Sequence, residues 1–285
     1  MMSITRLFTH MSLQHWRPLY RLVLLFWVCF GLLLPVQASE LSVSVLDNVD
    51  PLATSVYQSR SASADGIGKV YMGREISQVM GHLGAGWLER PSRSTSEHPQ
   101  RFIPALDLQP TDVVADIGAG TGYISFRLAP FLSEGQVLAV DVQPEMLNIL
   151  ERTKQRRHIT NVETVLGTQQ DPGLKAASID LALMVDAYHE FAYPREMMDA
   201  IVQALKPEGR VVLVEYKAEN PLIFINRHHK MSVRQVHKEM QAVGLTLQEN
   251  QKVLPQQHVL MFSKDTISML NDSPINDRNA LLAKR

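Results

Sequence analysis

The residues of this chain that could do chemistry sit where short apolar runs end. Val113-Val114-Ala115 leads into Asp116-Ile117-Gly118-Ala119-Gly120-Thr121-Gly122, and an amphipathic run follows from Tyr123. That pattern reads as a buried strand, a tight glycine turn and the first turn of a helix. Such a turn lets a ligand press against bare backbone and aims free N–H groups at an anionic group. The neighbouring carboxylate of Asp116 suits a ligand that also carries a cationic amino group and repels a pyrophosphate. Further on, Asp186-Ala187-Tyr188-His189-Glu190-Phe191 places an imidazole among carboxylates. His189 has an unperturbed pKa close to neutrality and is the candidate general base, with Glu190 beside it. The competing reading is a histidine that only lines a pocket.

The elements that must position these groups alternate strand and helix. Strand one is Val113 to Ala115, and Ile124, Leu128, Phe131 and Leu132 mark the core-facing stripe of the helix after it. Strand two runs from Gln136 to Val140 and ends in Asp141; Pro144 opens the next helix at its first turn. Strand three, Val162 to Leu166, ends in Gly167-Thr168. Strand four, Ile179 to Met184, precedes Asp186. Pro194 opens another helix, and Pro207-Glu208-Gly209 turns into strand five, Arg210 to Glu215. Ser232 to Gln235 has capping-box spacing. Leu245 to Glu249 and His258 to Phe262 read as two closing strands with no helix between them. The expected fold is therefore α/β, doubly wound, a mostly parallel seven-stranded sheet with one antiparallel closing strand. Its ligand site should lie at the carboxyl ends of the strands, where Asp116, Asp141, Gly167-Thr168, Asp186 and Glu215 collect.

The dinucleotide fingerprint Gly-x-Gly-x-x-Gly is not met, because Tyr123 stands where its third glycine would fall. Asp-x-Gly-x-Gly-x-Gly instead resembles motif I of the class I S-adenosylmethionine (SAM) methyltransferases, and the resemblance spans about Gly66 to Phe262. It implies SAM as cofactor, held by Asp116, Gly118, Gly120, Thr121 and Gly122. Asp141 would then accept from the ribose hydroxyls, Val142 and Gln143 would lie near the adenine, and Gly167, Thr168 and Asp186 would complete the pocket. Thr168 departs from the Gly-Asp common at that point of the family. The resemblance also implies methyl transfer to a small-molecule acceptor, lipophilic if the N-terminal segment is a guide. His189 and Glu190 would serve as catalytic groups, and Tyr71, Arg74, Tyr188, Glu215, His229 and Lys230 are candidates near the substrate. The Asn/Asp-Pro-Pro-Tyr/Phe tetrapeptide of amide and exocyclic-amine methylation is missing from strand four. His189 with His228-His229 lacks the carboxylate spacing of a metal motif, and no metal is expected. Two other readings stay open: a non-catalytic binding protein of the same fold, and an NAD-dependent oxidoreductase.

Composition narrows the partners. A formal net charge of -1 over 285 residues offers no basic excess for nucleic acid. The single cysteine, Cys29, excludes a disulfide within the chain. Residues 1–38 carry Arg6, Arg17 and Arg21, an apolar run from Leu22 to Val36, and the small-x-small site Val36-Gln37-Ala38. That is the three-part pattern of a signal peptide. An uncleaved inner-membrane anchor through residues 22–36 is the alternative. Both predict an exported, periplasmic catalytic domain, at odds with the cytosolic supply of SAM. Residues 39–65 read as a linker, 66–110 as a helical cap with Ile76, Val79 and Met80 at helical spacing, 111–263 as the core, and 264–285 as a polar tail.

Overall fold

The computed structural model describes residues 56–265. The leader or anchor expected at 1–38, linker residues 39–55 and tail residues 266–285 lie outside the described residues. No described helix is long and apolar enough to cross a membrane.

Three short strands open the described chain: β1 (Tyr57–Ser59), β2 (Gly66–Tyr71) and β3 (Arg74–Ser77), paired antiparallel in a sheet of their own. This corrects the helix expected around Ile76, Val79 and Met80. Tyr71 pairs with Arg74 across Met72-Gly73, and both turn residues have positive φ, 47° and 97°. Two such residues in succession make the mirror-image turn whose twist matches a hairpin. Ile76 is buried in a strand, whereas Val79 is about half exposed. The helical spacing was incidental to the strand pairing. Three single-turn helices follow, α1 (Ala85–Leu88), α2 (Arg93–Ser96) and α3 (Pro99–Phe102).

The core then runs β4 (Val113–Ile117), α4 (Ser125–Leu128), β5 (Gln136–Asp141), α5 (Pro144–Arg157), β6 (Val162–Leu166), β7 (Ile179–Val185), α6 (Pro194–Ala204), β8 (Leu205–Tyr216), α7 (Val233–Gln241), β9 (Leu245–Gln251) and β10 (Gln257–Lys264). The seven-stranded sheet has the order β6-β5-β4-β7-β8-β10-β9. β10 is antiparallel to both its neighbours, and the other pairings are parallel.

Both faces of the sheet are covered, so side chains alternate between two apolar layers. Val114, Val137, Leu181, Leu183, Val212 and Val214 enter one layer with Leu128, Leu132 and Leu150. Ala115, Val140, Ala182, Met184, Val211 and Leu213 enter the other with Met197, Met198, Ile201 and Val236. α4 is shorter than the sequence suggests. Pro130 brings no N–H, so the chain tightens into a 3-10 turn at Ala129–Phe131. Ile124, Leu128 and Leu132 are buried as expected, but Phe131 is turned 44% outward. The Pro207-Glu208-Gly209 turn survives as a bulge within β8: register jumps from Ile179 opposite Leu205 to Leu181 opposite Arg210. Ser232 caps α7 by accepting from the Gln235 N–H.

Candidate functional site

Asp116, Asp141, Asp186 and Glu215 meet at the carboxyl edge of β5, β4, β7 and β8, beside a cavity of about 690 Å³. That is the size of a small-molecule site. β4 and β7 are neighbours wound in opposite directions from the centre of the sheet, so a crevice opens between their ends.

The glycine turn forms one wall. Gly118, Gly120 and Gly122 have φ of +77°, +54° and +83°. A Cβ on Gly118 would lie 2.7 Å from the Cβ of Ala187, and one on Gly120 would lie 2.7 Å from Leu88 Cδ1. Gly122 turns away from the cavity, and a Cβ there would meet Leu150 and Phe126 at 2.8 Å. The turn differs from expectation in one respect. Four of its N–H groups are already committed: Gly118 and Ala119 donate to Val140 O at 2.8 and 2.9 Å, Gly122 to Ala119 O at 2.9 Å, and Gly120 to Asp141 Oδ2 at 2.8 Å. The turn gives close approach to backbone rather than an anion cradle.

Asp116 is buried at the cavity wall, where its Oδ2 accepts from Ser125 Oγ at 2.6 Å. Burial raises its pKa to about 6, against the opposing pull of the Ser125 bond and of Arg93. Asp141 accepts from Gly120 N and, at 2.9 Å, from Gln143 N. Burial raises its pKa as well. A carboxylate has about four acceptor sites, so both oxygens retain capacity for ligand hydroxyls. Val142 and Met146 line the cavity beside it. Asp186 sits at φ 51°; its Oδ2 accepts from Gln257 Nε2 at 2.7 Å, and its Oδ1 is buried without a partner. Burial, then Glu97 and Glu215, push its pKa well above the usual carboxylate range.

His189 stands in a single 3-10 turn, Tyr188–Glu190. Its Nδ1 lies 2.6 Å from Glu215 Oε2, and its Nε2 lies 3.0 Å from His229 Nδ1. Glu190 Oε1 is 3.8 Å from the same His189 nitrogen and 3.5 Å from the same His229 nitrogen. Burial opposes a charge on His189, but Glu215, Glu190 and Asp186 outweigh it and its pKa is raised. Glu190 accepts from Met80 N through Oε2 at 3.2 Å.

Several residues expected at the ligand are engaged elsewhere. Arg74 makes a two-pronged pair with Glu239 at 2.7 and 3.0 Å and donates to His189 O at 3.1 Å. Tyr188 donates to Glu239 at 2.7 Å. Tyr71 is buried in the hairpin, and Lys230 donates to Ile223 O at 2.7 Å. None of the four lines the cavity. Arg74 and Tyr188, both paired with Glu239, buttress the turn that carries His189. Thr121 donates to Glu89 at 2.5 Å, and the Gln143 amide bridges Met80 O and His82 N at 2.9 and 2.8 Å. Those two pin the segment before the core over the cavity. Gly167 donates to Asp141 O, and the Thr168 hydroxyl accepts from Gln170 N and Asp171 N. Gln169, not Thr168, lines the cavity.

The sequence reading missed one cluster. Arg93 pairs with Glu97 at 2.7 Å, Arg90 also pairs with Glu97, and Tyr216 donates to it at 3.3 Å; all four line the cavity. Arg93 and Glu97 stand at i and i+4, a recognisable helical ion-pair spacing. Nothing in the sequence tied that pair to Asp116.

A family model described as a methyltransferase domain matches residues 115–211. The chain is 32% identical over 121 residues to an uncharacterised methyltransferase-like protein of Schizosaccharomyces pombe, covering 42% of this chain and 44% of that one. It is 29% identical to the uncharacterised methyltransferase YcgJ of Bacillus subtilis, covering 41% and 47%. The chain thus spans less than half the length of these curated relatives. Among solved structures, a SAM-dependent methyltransferase from Aquifex aeolicus superposes with a TM-score of 0.61 at 20% identity, covering 65% of this chain and 98% of that one. An O-methyltransferase from neocarzinostatin biosynthesis, in complex with SAM and a naphthoic acid, gives 0.51 at 14% identity, covering 58% and 52%. Residues 115–211 thus match a methyltransferase-domain model, and the fold is the one shared by the superposed SAM-dependent enzymes.

Proposed function

We propose that this protein is a SAM-dependent methyltransferase acting on a small, largely apolar acceptor that carries one protic heteroatom. One observation carries the reading: a single cavity joins the glycine turn and Asp116 to the His189, Glu190 and His229 cluster. The residues fit the cofactor. Asp116 is a buried carboxyl with a cavity-facing role for an ammonium group, and Asp186 has an unmatched buried acceptor beside it. Arg93, near enough to lower the pKa of Asp116, would take the carboxylate with Arg90. Asp141 would take the ribose hydroxyls, and Val142 and Met146 the adenine. Gly118 and Gly120 keep the cavity wall at bare backbone, since a Cβ at either would strike Ala187 or Leu88 at 2.7 Å.

When bound, this cofactor supplies an electrophilic methyl group on a sulfonium. The chain's own work is orientation, exclusion of water and management of one proton. Holding both reactants in line is a large share of such a displacement. Ile67, Val79, Phe191, Tyr193 and Ile225 give the acceptor side of the cavity an apolar wall. That wall favours an uncharged acceptor, which avoids desolvating a second charge. The acceptor's proton must leave before or as the methyl group arrives. The cluster around His189 is where it leaves. Arg74 and Glu239 hold that cluster through the His189 carbonyl without touching the acceptor.

Calorimetric titration of the full chain with SAM and S-adenosylhomocysteine tests the reading, with NAD as the control. Saturable heat with the two sulfur ligands and none with NAD is the expected outcome. Heat with NAD alone, or with none of the three, overturns it.

A further inference from the structure

We infer that His189, Glu190 and His229 form a binding site for one divalent zinc-type ion whose remaining coordination position opens into the cavity. The inference deepens the proposed function, because that position would take the acceptor's hydroxyl or thiol.

The three ligand atoms are His189 Nε2, His229 Nδ1 and Glu190 Oε1, separated by 3.0, 3.5 and 3.8 Å. A four-coordinate zinc with bonds of about 2.0–2.2 Å has ligand atoms about 3.4 Å apart along each edge. The observed triangle brackets that length on all three sides. Among the described residues, this is the group of histidine and carboxylate atoms that converges closely enough to share an ion.

His189 Nε2 and His229 Nδ1 share one proton across 3.0 Å, which an ion at the site would displace, and the other polar atoms of His189 and Glu190 are held from behind. Glu215 holds His189 through Nδ1 at 2.6 Å, so the imidazole proton is committed there and the Nε2 lone pair points inward. Glu215 is itself fully buried. A carboxylate behind a histidine is the arrangement that orients metal ligands and raises their basicity. Glu190 is held through Oε2 by the Met80 N–H, which leaves Oε1 for the site. Two imidazoles with one carboxylate select a borderline first-row ion over magnesium or calcium, which prefer all-oxygen sets. All three residues line the cavity, so the fourth vertex faces the space left for the acceptor. An acceptor O–H or S–H binding there would displace the water from the fourth position, its oxygen or sulfur taking the ion as its proton passes to solvent. Nothing is oxidised or reduced. Lowering the acceptor's pKa in this way is the established effect of zinc on bound water.

No metal-motif spacing marks the site in the chain, because His189 and His229 stand 40 positions apart. The test uses the full chain, stripped with a chelator and titrated calorimetrically with zinc chloride, in separate runs with and without SAM. One equivalent of zinc per chain is expected. His229→Ala, at a half-buried position that should not disturb folding, weakens it by more than about 100-fold. His158→Asn, at the exposed end of α5, leaves it unchanged. Cobalt in place of zinc should give the intense visible absorption of a four-coordinate ion, lost in His229→Ala. No saturable site, or a site that His229→Ala leaves intact, overturns the inference. SAM heat without zinc binding overturns this inference alone and leaves the methyltransferase reading standing. Zinc binding without SAM heat supports the site and counts against that reading.

Discussion

Replacing Asp116 with asparagine separates what this residue does for the fold from what it does for the ligand. The side chain is buried, and burial lifts its pKa from 3.8 to about 6. A folded-state pKa raised above the unfolded value means that the folded chain holds the proton more tightly. Stability from that proton is fully present below pH 3.8 and is lost as pH rises through about 6. Above that range the ionised carboxylate costs the fold about 3 kcal/mol, from a shift of about two units at 1.36 kcal/mol each. Asparagine keeps the volume and can still accept from Ser125 Oγ. In the ligand-free protein, Asp116→Asn should therefore raise stability by about 3 kcal/mol near pH 8 and by about half of that near pH 5. For a domain of this size that is roughly 6–12 °C in melting temperature at the higher pH. Ligand binding should move the other way. An ammonium facing Asp116 loses its counter-charge, and affinity for SAM should fall by about 10–100-fold, the worth of a charged hydrogen bond. Thermal denaturation across pH, paired with calorimetry, reads both effects. A variant no more stable than the parent near pH 8, or one that binds SAM equally well, would refute the reasoning.

The other predictions concern the turn and its supports. Gly118→Ala places a Cβ at φ +77° against Ala187; it should cost about 2–4 kcal/mol, read by urea denaturation, and abolish SAM heat. Arg74→Met strands the buried Glu239 carboxylate and should cost about 3–5 kcal/mol. Arg74→Met with Glu239→Met should recover most of that loss, and a double-mutant cycle on denaturation midpoints checks it. Asp186→Asn keeps the bond from Gln257 and removes a carboxyl whose folded pKa is raised. By the same sign argument it should raise the melting temperature more near pH 8 than near pH 5.

The core strands were legible because their signals are local. Apolar runs bounded by glycine, proline and acid mark β4, β5 and β7 whatever they pack against. Ser232 caps α7 and Pro144 opens α5 through contacts within one turn of chain. The hairpin of β2 and β3 escapes the same local signals. Its residues carry a helical spacing by chance, and Met72-Gly73 is a turn only once two strands pair across it. Thr121, Gln143 and Thr168 lie at motif positions, yet their side chains answer to neighbours that the motif does not contain.

The sequence by itself determined the alternation of elements, the acids at the strand ends and the glycine turn, because each follows from backbone sterics and periodic burial within a short window. Only the tertiary structure decided that Arg93 stands near Asp116, that three of the turn's N–H groups are spent on Val140 and Asp141, and that His189 meets His229 and Glu215. Such pairings depend on which surfaces the sheet and the hairpin bring within a few ångströms, and partners 26, 40 or 165 positions apart leave no periodic trace in the chain.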